Sequence, residues 1–324
     1  MKIVITGRLP GDVLESMAHK NGLFNIVSND QYRPWDYEAI KKEARDATAL
    51  MCMLTDKVDR ELMDACPELK IIAIMAVGYD NVDVAYAAQK GILVTHTPGV
   101  LTNATADTAF ALILGLMRRV VEGDAMIRAD KFPVWSPFNF LGSEVSGKTI
   151  GIVGFGRIGQ AVARRALGFG MQVLYHANRQ TPERDALGAY SDLTALLWQS
   201  DVVSLHVPLT QETRHMIGAE ELALMKDTAF LINTARGPVV DEEALYNALV
   251  SKTIAGAGLD VYEHEPQLYP GLKDLPNTVL LPHVGSATME TRIKMAEMCL
   301  KAIGDVLHGR MPANCLNVQM PDYR

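Results

Sequence analysis

The stretch "TIGIVGFGRIGQ", residues 149–160, constrains this chain more than any other. A buried-strand pattern runs into Gly154, Gly156 and Gly159, and this G-x-G-x-x-G turn opens the helical pattern "RIGQAVARRALGFG". With 25 glycines in the chain the bare spacing arises easily by chance. A strand before it and a helix after it are what a dinucleotide-binding turn requires. The first two glycines permit a tight turn and let a pyrophosphate approach backbone N–H groups, while the helix N-terminus adds partial positive charge. Gly159 lets the helix pack closely on its strand.

The rest of the chain repeats the strand-and-helix alternation. Strand patterns occur at "KIVIT", "FNIVS", "ALMCML", "KIIAIMAV" and "ILVTH", then at "TIGIVGF", "QVLYH", "DVVSLHV", "AFLINTA", "IAGAGLDV" and "TVLLPHV". A long helical pattern, "LTNATADTAFALILGLMRRVVEGDAMIRA", separates the two sets. Such alternation predicts parallel sheets with helices on both faces. The last segment, "TMETRIKMAEMCLKAIGDVLHG", is an amphipathic helix with no strand after it, and it needs a sheet to cover. Returning it to the first set makes the first domain discontinuous. The expected fold is therefore α/β, with two doubly wound parallel-sheet domains. The second, of Rossmann type and spanning 101–287, is inserted into a flavodoxin-like first domain made of 1–100 plus 288–324. Ligands are then expected in a cleft between the domains, at the C-terminal ends of strands.

Bulk properties exclude several classes. The 324 residues carry a net charge of −7 without a cluster of Lys and Arg, so neither nucleic acid nor an anionic membrane is an expected partner. Cys52, Cys66, Cys299 and Cys315 are scattered without a C-x-x-C pair, which argues against a disulfide framework or a metal site and fits a reducing cytoplasm. The start, "MKIVITGRLPGD", does not read as a signal peptide, and the longest apolar run, "AFALILGLM", is far short of the ~20 residues of a membrane span.

An NAD-binding turn is normally followed, ~20 residues on, by an Asp or Glu that holds the ribose hydroxyls. Here the chain reaches Ala177 after 23 residues from Gly154, followed by Asn178 and Arg179. A carboxylate would repel a 2′-phosphate, whereas Asn178 can donate hydrogen bonds to one and Arg179 can pair with its charge. Arg179 also fits a solvated surface. Absence of the acid with presence of the arginine favours NADP(H), with NAD(H) still possible.

Three strand ends of the second set carry unusual residues. "LINTARGPVVDE" places Arg236 just past a strand, "AGLDVYEHEP" places Asp260 at a strand end with Glu265 beyond it, and "VLLPHVGSAT" places His283 after another. Singly, each has an ordinary explanation: a salt-bridging arginine, a solvated acid, a structural histidine. Together they match the needs of 2-oxo acid reduction. A histidine gives the proton. A carboxylate beside it favours the charged imidazole and orients the ring, and an arginine grips carboxylate and carbonyl oxygens with a planar fork.

The ordered motifs "AVGYDNVDV", "HTPGVLTNATADTAFALIL", "GKTIGIVGFGRIG", "HVPLTQET", "INTARGPVVDEEAL", "AGLDVYEHEP" and "LPHVGSAT" cover essentially the whole length. In them the chain resembles the D-2-hydroxyacid dehydrogenases, and within them the glyoxylate/hydroxypyruvate reductases and the 2-ketoaldonate reductases. The resemblance implies Arg236, Glu265 and His283 as catalytic residues and Asp260 as a nicotinamide contact. It implies the backbone N–H groups of Val77 and Gly78 as substrate-carboxylate donors. It implies cofactor contacts at the glycine turn including Arg157 and Ile158, at Thr105, at Pro208 and Thr213, and at Ala235 and Gly285. It also implies a small 2-oxo or 2-hydroxy acid as substrate and a homodimer built around the helix near 106–121.

Departures narrow the choice. Glu265 stands before Pro266 where the similar formate dehydrogenases have glutamine, so formate is disfavoured. Val77 stands where phosphite dehydrogenases have lysine, although "WSP" at Trp135 matches a pattern of theirs. The expected activity is NADPH-preferring reduction of glyoxylate, hydroxypyruvate and, as a further candidate, 2-ketogluconate. The alternatives are an NAD-preferring D-2-hydroxyacid or phosphite-type dehydrogenase, and a non-catalytic nucleotide sensor like the family's corepressors.

Overall fold

A computed structural model describes residues 1–11, 13–14 and 24–318. The chain divides into two compact units, Met1–Leu101 with Ser286–Arg324, and Thr102–Gly285.

The first unit holds a five-stranded parallel sheet of β1 (Lys2–Ile5), β2 (Asn25–Ser28), β3 (Ala49–Cys52), β4 (Ile71–Ile74) and β5 (Leu93–Thr95), in the order β2-β1-β3-β4-β5. The central strands β3 and β4 read "ALMC" and "IIAI", apolar without alternation, because helices cover both faces and every position is buried. The helix Met289–Leu307 starts at Thr288, whose hydroxyl accepts the Thr291 N–H. Met295, Ala296, Cys299, Leu300 and Ile303 recur at helical spacing and are its buried stripe. This stripe packs on β4, where the Cys299 thiol donates to the Ile74 carbonyl at 3.5 Å.

The second unit holds seven parallel strands: β6 (Thr149–Val153), β7 (Gln172–His176), β8 (Ala189–Tyr190), β9 (Val202–Leu205), β10 (Phe230–Asn233), β11 (Gly256–Leu259) and β12 (Thr278–Leu280). Their order is β12-β11-β10-β9-β6-β7-β8. Period-two alternation sorts side chains to two cores. Ile150, Ile152, Val202 and Ile232 join Phe110, Ile113 and Val162 on one face, whereas Val153, Val203, Leu205 and Leu231 join Leu196, Leu222 and Leu245 on the other. All seven strands point their C-terminal ends to one edge, and the candidate site is built there.

Two local features differ from the sequence pattern. The long helical stretch is two helices, Thr102–Met117 and Val120–Arg128, separated at Arg119, which adopts a left-handed φ of 52°. Hydrophobic periodicity does not register this break, because its cause is tertiary. The Arg119 guanidinium donates to Glu122 and to the Leu141 carbonyl and lies 4.0 Å from the Phe140 ring centre. Strand β8 also escapes the pattern, being two exposed residues that gain strand geometry only by pairing with Leu174 and Tyr175. Among the described residues no helix is long and apolar enough to cross a membrane.

Candidate active site

The turn after β6 is shaped by what its glycines omit. Gly154 has φ +92°, and a Cβ there would lie 2.6 Å from the carbonyl carbon and oxygen of His206. Its N–H donates to the His176 carbonyl at 2.9 Å, tying the turn to the end of β7. A Cβ at Gly159 would meet the Gly154 carbonyl oxygen at 2.2 Å, so the helix Arg157–Gly168 approaches the turn only with glycine there. Gly156, the N-cap of that helix, is the opposite case, since a Cβ there meets nothing within 4 Å. The space over Gly156 is open, and the helix N-terminus beside it carries unpaired N–H groups in its first turn. This cradle fits a dinucleotide pyrophosphate. Arg157 and Ile158 form the first turn of the helix.

The segment after β7 places Asn178 and Arg179 on the surface, and Ala177 half-buried. One neighbour was not singled out from the sequence: Arg184, whose guanidinium donates to the Arg179 carbonyl. Its signal was there, a second arginine five residues on in "ANRQTPERD". One of the two acids of this region, Asp185, accepts from Tyr175 at 2.6 Å and Gln180 at 3.0 Å.

The ends of β10, β11 and β12 bring the other residues together. His283, with φ +54°, directs Nδ1 at Glu265 Oε2 over 2.8 Å. Glu265 Oε1 accepts the Tyr262 N–H at 3.0 Å, so both carboxylate oxygens are engaged. Burial works to raise the Glu265 carboxyl, but the His283 bond and charge, the Tyr262 N–H and the Arg236 charge outweigh it and hold the group below its ordinary value. Asp260, 1% exposed, accepts the N–H groups of Val284 and Gly285 at 2.7 Å each, fixing the backbone just beyond His283. Burial pushes its carboxyl up, and those two N–H groups oppose the shift. Asp260 therefore sets where His283 sits. Thr105, on the helix Thr102–Met117, packs beside Gly285, where a Cβ would stand 3.5 Å from its methyl group.

Arg236 follows β10 in the turn that Asn233 organises, with the Asn233 amide donating to the Arg236 carbonyl and its oxygen accepting from the Ala235 N–H. The guanidinium donates to the Ala235 carbonyl at 2.9 Å. A Cβ on the next residue, Gly237, would lie 1.9 Å from Tyr262, so this glycine lets the Arg236 turn press against the loop carrying Glu265. Sequence reading passed over Gly237 because its reason is a contact 25 residues away.

The loop after β9 is closed on itself: the Thr213 hydroxyl donates to the Pro208 carbonyl at 2.6 Å. Nearby His206, bonded through Nε2 to Ser204 at 2.8 Å, is pushed down to about 3 by desolvation and stays neutral. In the first unit, Val77 and Gly78 follow β4, and the Val77 carbonyl accepts from His96 Nδ1 at 2.9 Å. Among the described residues no group of three or more His, Cys, Asp or Glu could hold a metal ion.

Residues 110–285 match the family of D-isomer specific 2-hydroxyacid dehydrogenases in its NAD binding domain. The chain is 54% identical to a glyoxylate reductase of Thermococcus litoralis over 328 aligned positions, which cover 98% of this chain and 96% of that one. Among solved structures it resembles the TT0316 protein of Thermus thermophilus, with TM-score 0.92, 45% identity and 98% and 100% of the two chains covered. It also resembles an NADPH-dependent glyoxylate/hydroxypyruvate reductase of Sinorhizobium meliloti in complex with NADP and malonate (TM-score 0.86, 34% identity, 97% and 96% covered). A D-lactate dehydrogenase of Aquifex aeolicus complexed with NAD and lactic acid superposes as well (TM-score 0.87, 31% identity, 99% and 100% covered). A nucleotide-cradling turn, a paired histidine and glutamate, and this similarity along the full length lead to one assignment: the chain belongs to the D-isomer-specific 2-hydroxyacid dehydrogenase family and carries that family's NAD-binding domain.

Proposed function

We propose that the protein reduces glyoxylate and hydroxypyruvate to their 2-hydroxy acids with NADPH, with 2-ketogluconate as a third substrate candidate. The observation that carries this reading is the 2.8 Å pairing of His283 Nδ1 with Glu265 in the same strand-end cluster as Arg236. With Nδ1 committed as donor to Glu265, Nε2 is the nitrogen that exchanges a proton with the substrate oxygen. The Glu265 carboxylate, held ionised, favours the imidazolium before the transfer and keeps the ring oriented after it. The Arg236 guanidinium holds the substrate carboxylate and carbonyl in a two-pronged grip. The family resemblance gives the backbone N–H groups of Val77 and Gly78 as further donors to that carboxylate.

The nicotinamide cofactor, when bound, supplies the hydride. Gly154, Gly156 and Gly159 with the first turn at Arg157 and Ile158 would hold its pyrophosphate, and Asp260 and Ala235 its nicotinamide end. Thr105, Pro208, Thr213 and Gly285 would complete its contacts. Asn178 and Arg179, with Arg184 adding a second guanidinium, favour the 2′-phosphate of NADPH over the bare hydroxyl of NADH. The NADPH-dependent Sinorhizobium meliloti reductase supports this choice. The glyoxylate reductase of Thermococcus litoralis supports the substrate.

We further assign the working form as a homodimer. Its support is a run of exposed apolar side chains, Phe132, Val134, Trp135 and Phe138, each at least two-thirds exposed in the single chain. The buried free thiols Cys52, Cys66 and Cys299 support a cytoplasmic setting.

The test is a panel of glyoxylate, hydroxypyruvate, 2-ketogluconate and pyruvate, each with NADPH and NADH, followed by loss of nicotinamide absorbance. Glyoxylate and hydroxypyruvate with NADPH are expected to give the highest kcat/KM. Turnover of none of the four overturns the reductase reading in favour of a nucleotide sensor, and faster turnover with NADH overturns the cofactor preference alone.

A further inference from the structure

The winding of the first sheet changes direction at β1. From β1 the chain moves to one side to form β2 and then to the other side to form β3. The loops that follow β1 and β3 part at this reversal, which is where open α/β sheets leave a crevice for ligands. In this unit the crevice is a cavity of 460 Å³. It is lined by residues 6–10 after β1, Asn29 and 31–34 after β2, Met53 and Thr55 after β3, Met75 after β4, and Arg292.

Among the described residues, every charged one that lines it is an arginine: Arg8, Arg33 and Arg292, in a chain whose net charge is −7. The Arg8 guanidinium lies over the Tyr32 ring, 4.8 Å from its centre, which restrains a side chain that would otherwise sweep through solvent. Beneath the rim, buried polar groups tie the walls together. The Asn29 amide, 1% exposed, donates to the Thr6 carbonyl at 3.0 Å and the Arg33 carbonyl at 2.9 Å, joining the loops after β1 and β2. The Thr6 hydroxyl bonds to buried Asp56, which accepts the Met53 N–H at 2.6 Å and so joins the loop after β3. Asp56, the carboxylate of this network, is buried and is not among the described residues that line the cavity. The cavity is thus held in shape by the chain itself, with cations at its rim and the apolar Met53, Met75 and Leu9 among its walls.

We propose that this cavity is a binding site for a small organic polyanion, a carbon skeleton bearing two or more carboxylate or phosphate groups, held through Arg8 and Arg33. The site goes beyond the reductase reading, and its ligand is an effector rather than the 2-oxo acid.

The experiment is calorimetric titration of the full-length protein with citrate at low salt. Citrate is expected to bind, to bind more weakly as salt rises from about 20 to about 300 mM, and to lose about tenfold in affinity in the pair Arg8→Gln/Arg33→Gln. The Asn29 network uses the Arg33 carbonyl and not its side chain, so the pair should keep the parent's melting temperature. If it does not, each single replacement is read alone and should still raise Kd. Arg236→Lys should leave the citrate affinity within twofold. No binding in the parent, unchanged affinity in the rim variants, or loss of binding on Arg236→Lys alone would each overturn the proposal, the last by placing citrate among the residues that hold the 2-oxo acid. Glyoxylate turnover measured on the same preparations keeps failure here distinct from failure of the reductase reading.

Discussion

The turn after β6 and the His283–Glu265 pair lie in one unit and are built from opposite materials. The turn is backbone: Gly154 and Gly159 are glycines because a Cβ would collide with His206 and with Gly154 itself, and Gly156 is one beside open space. The pair is side chain: two groups from separate loops meet over 2.8 Å, steadied by Tyr262 from one direction and by Asp260 through Val284 and Gly285 from another. A backbone cradle tolerates no added atom at Gly154 or Gly159, whereas a side-chain pair tolerates replacement that keeps its shape and loses only its proton. The two regions should therefore fail differently under mutation.

The largest effect is expected at the pair. His283→Asn keeps a polar group of similar reach but cannot carry the proton, so kcat with glyoxylate should fall by ~10²–10⁴ while NADPH affinity stays near the parent's. Steady-state kinetics with a fluorescence titration of NADPH reads both, and near-normal kcat would remove His283 from acid–base chemistry.

Next come the glycines, which divide the cradle into structural and ligand-facing parts. Gly154→Ala forces a left-handed alanine against His206 and should destabilise the protein by about 3 kcal/mol or more. Gly156→Ala, at φ −76° with free space around it, should unfold within ~1 kcal/mol of the parent yet bind NADPH at least ~10-fold more weakly, because the new methyl group enters the space where phosphate approaches. Chemical denaturation alongside cofactor titration tests the contrast. Equal behaviour of the two variants would mean that Gly156 faces no ligand.

A smaller change is expected at the cofactor's far end. A charge-assisted hydrogen bond is worth ~1.5–3 kcal/mol, and exposure favours the lower end. Arg179→Ala should raise KM for NADPH about tenfold with little change for NADH. Ala177→Asp should shift preference towards NADH by adding a ribose acceptor that repels the phosphate. A parent enzyme that already prefers NADH would reduce the missing acid to mere tolerance.

The smallest effect separates the regions by pH. Glu265 is depressed in the folded chain, so its contribution to stability is present above the unfolded carboxyl value of ~4.3 and is lost as pH falls through the lower folded value. Melting temperatures between about pH 5 and pH 3 should fall less steeply for Glu265→Gln than for the parent, and identical slopes would show that the His283 pairing adds nothing to folding. The glycine turn has no titrating group and predicts no such difference for Gly156→Ala.

Much of this architecture was legible beforehand because it rests on local rules. Apolar runs in β3 and β4, alternation in β6 and β9, and a glycine turn between strand and helix are statements about neighbours in sequence, and they establish a parallel α/β fold without coordinates. The absent acid after β7 is legible in the same way, as one residue type at one distance from Gly154. Arg236, Asp260, Glu265 and His283 stand out because residues of their chemistry rarely recur at successive strand ends, and parallel strands bring such ends to one edge. Tertiary structure alone decided what lies between chain segments. It decided that Arg119 breaks the long helical pattern, since Glu122, Leu141 and Phe140 hold its left-handed backbone. It decided that Gly237 must be glycine, because Tyr262 comes against it from another loop. It decided that Asp260 grips the backbone beyond His283 rather than solvent. Each depends on distances across the fold, and hydrophobic period and turn chemistry carry no term for them.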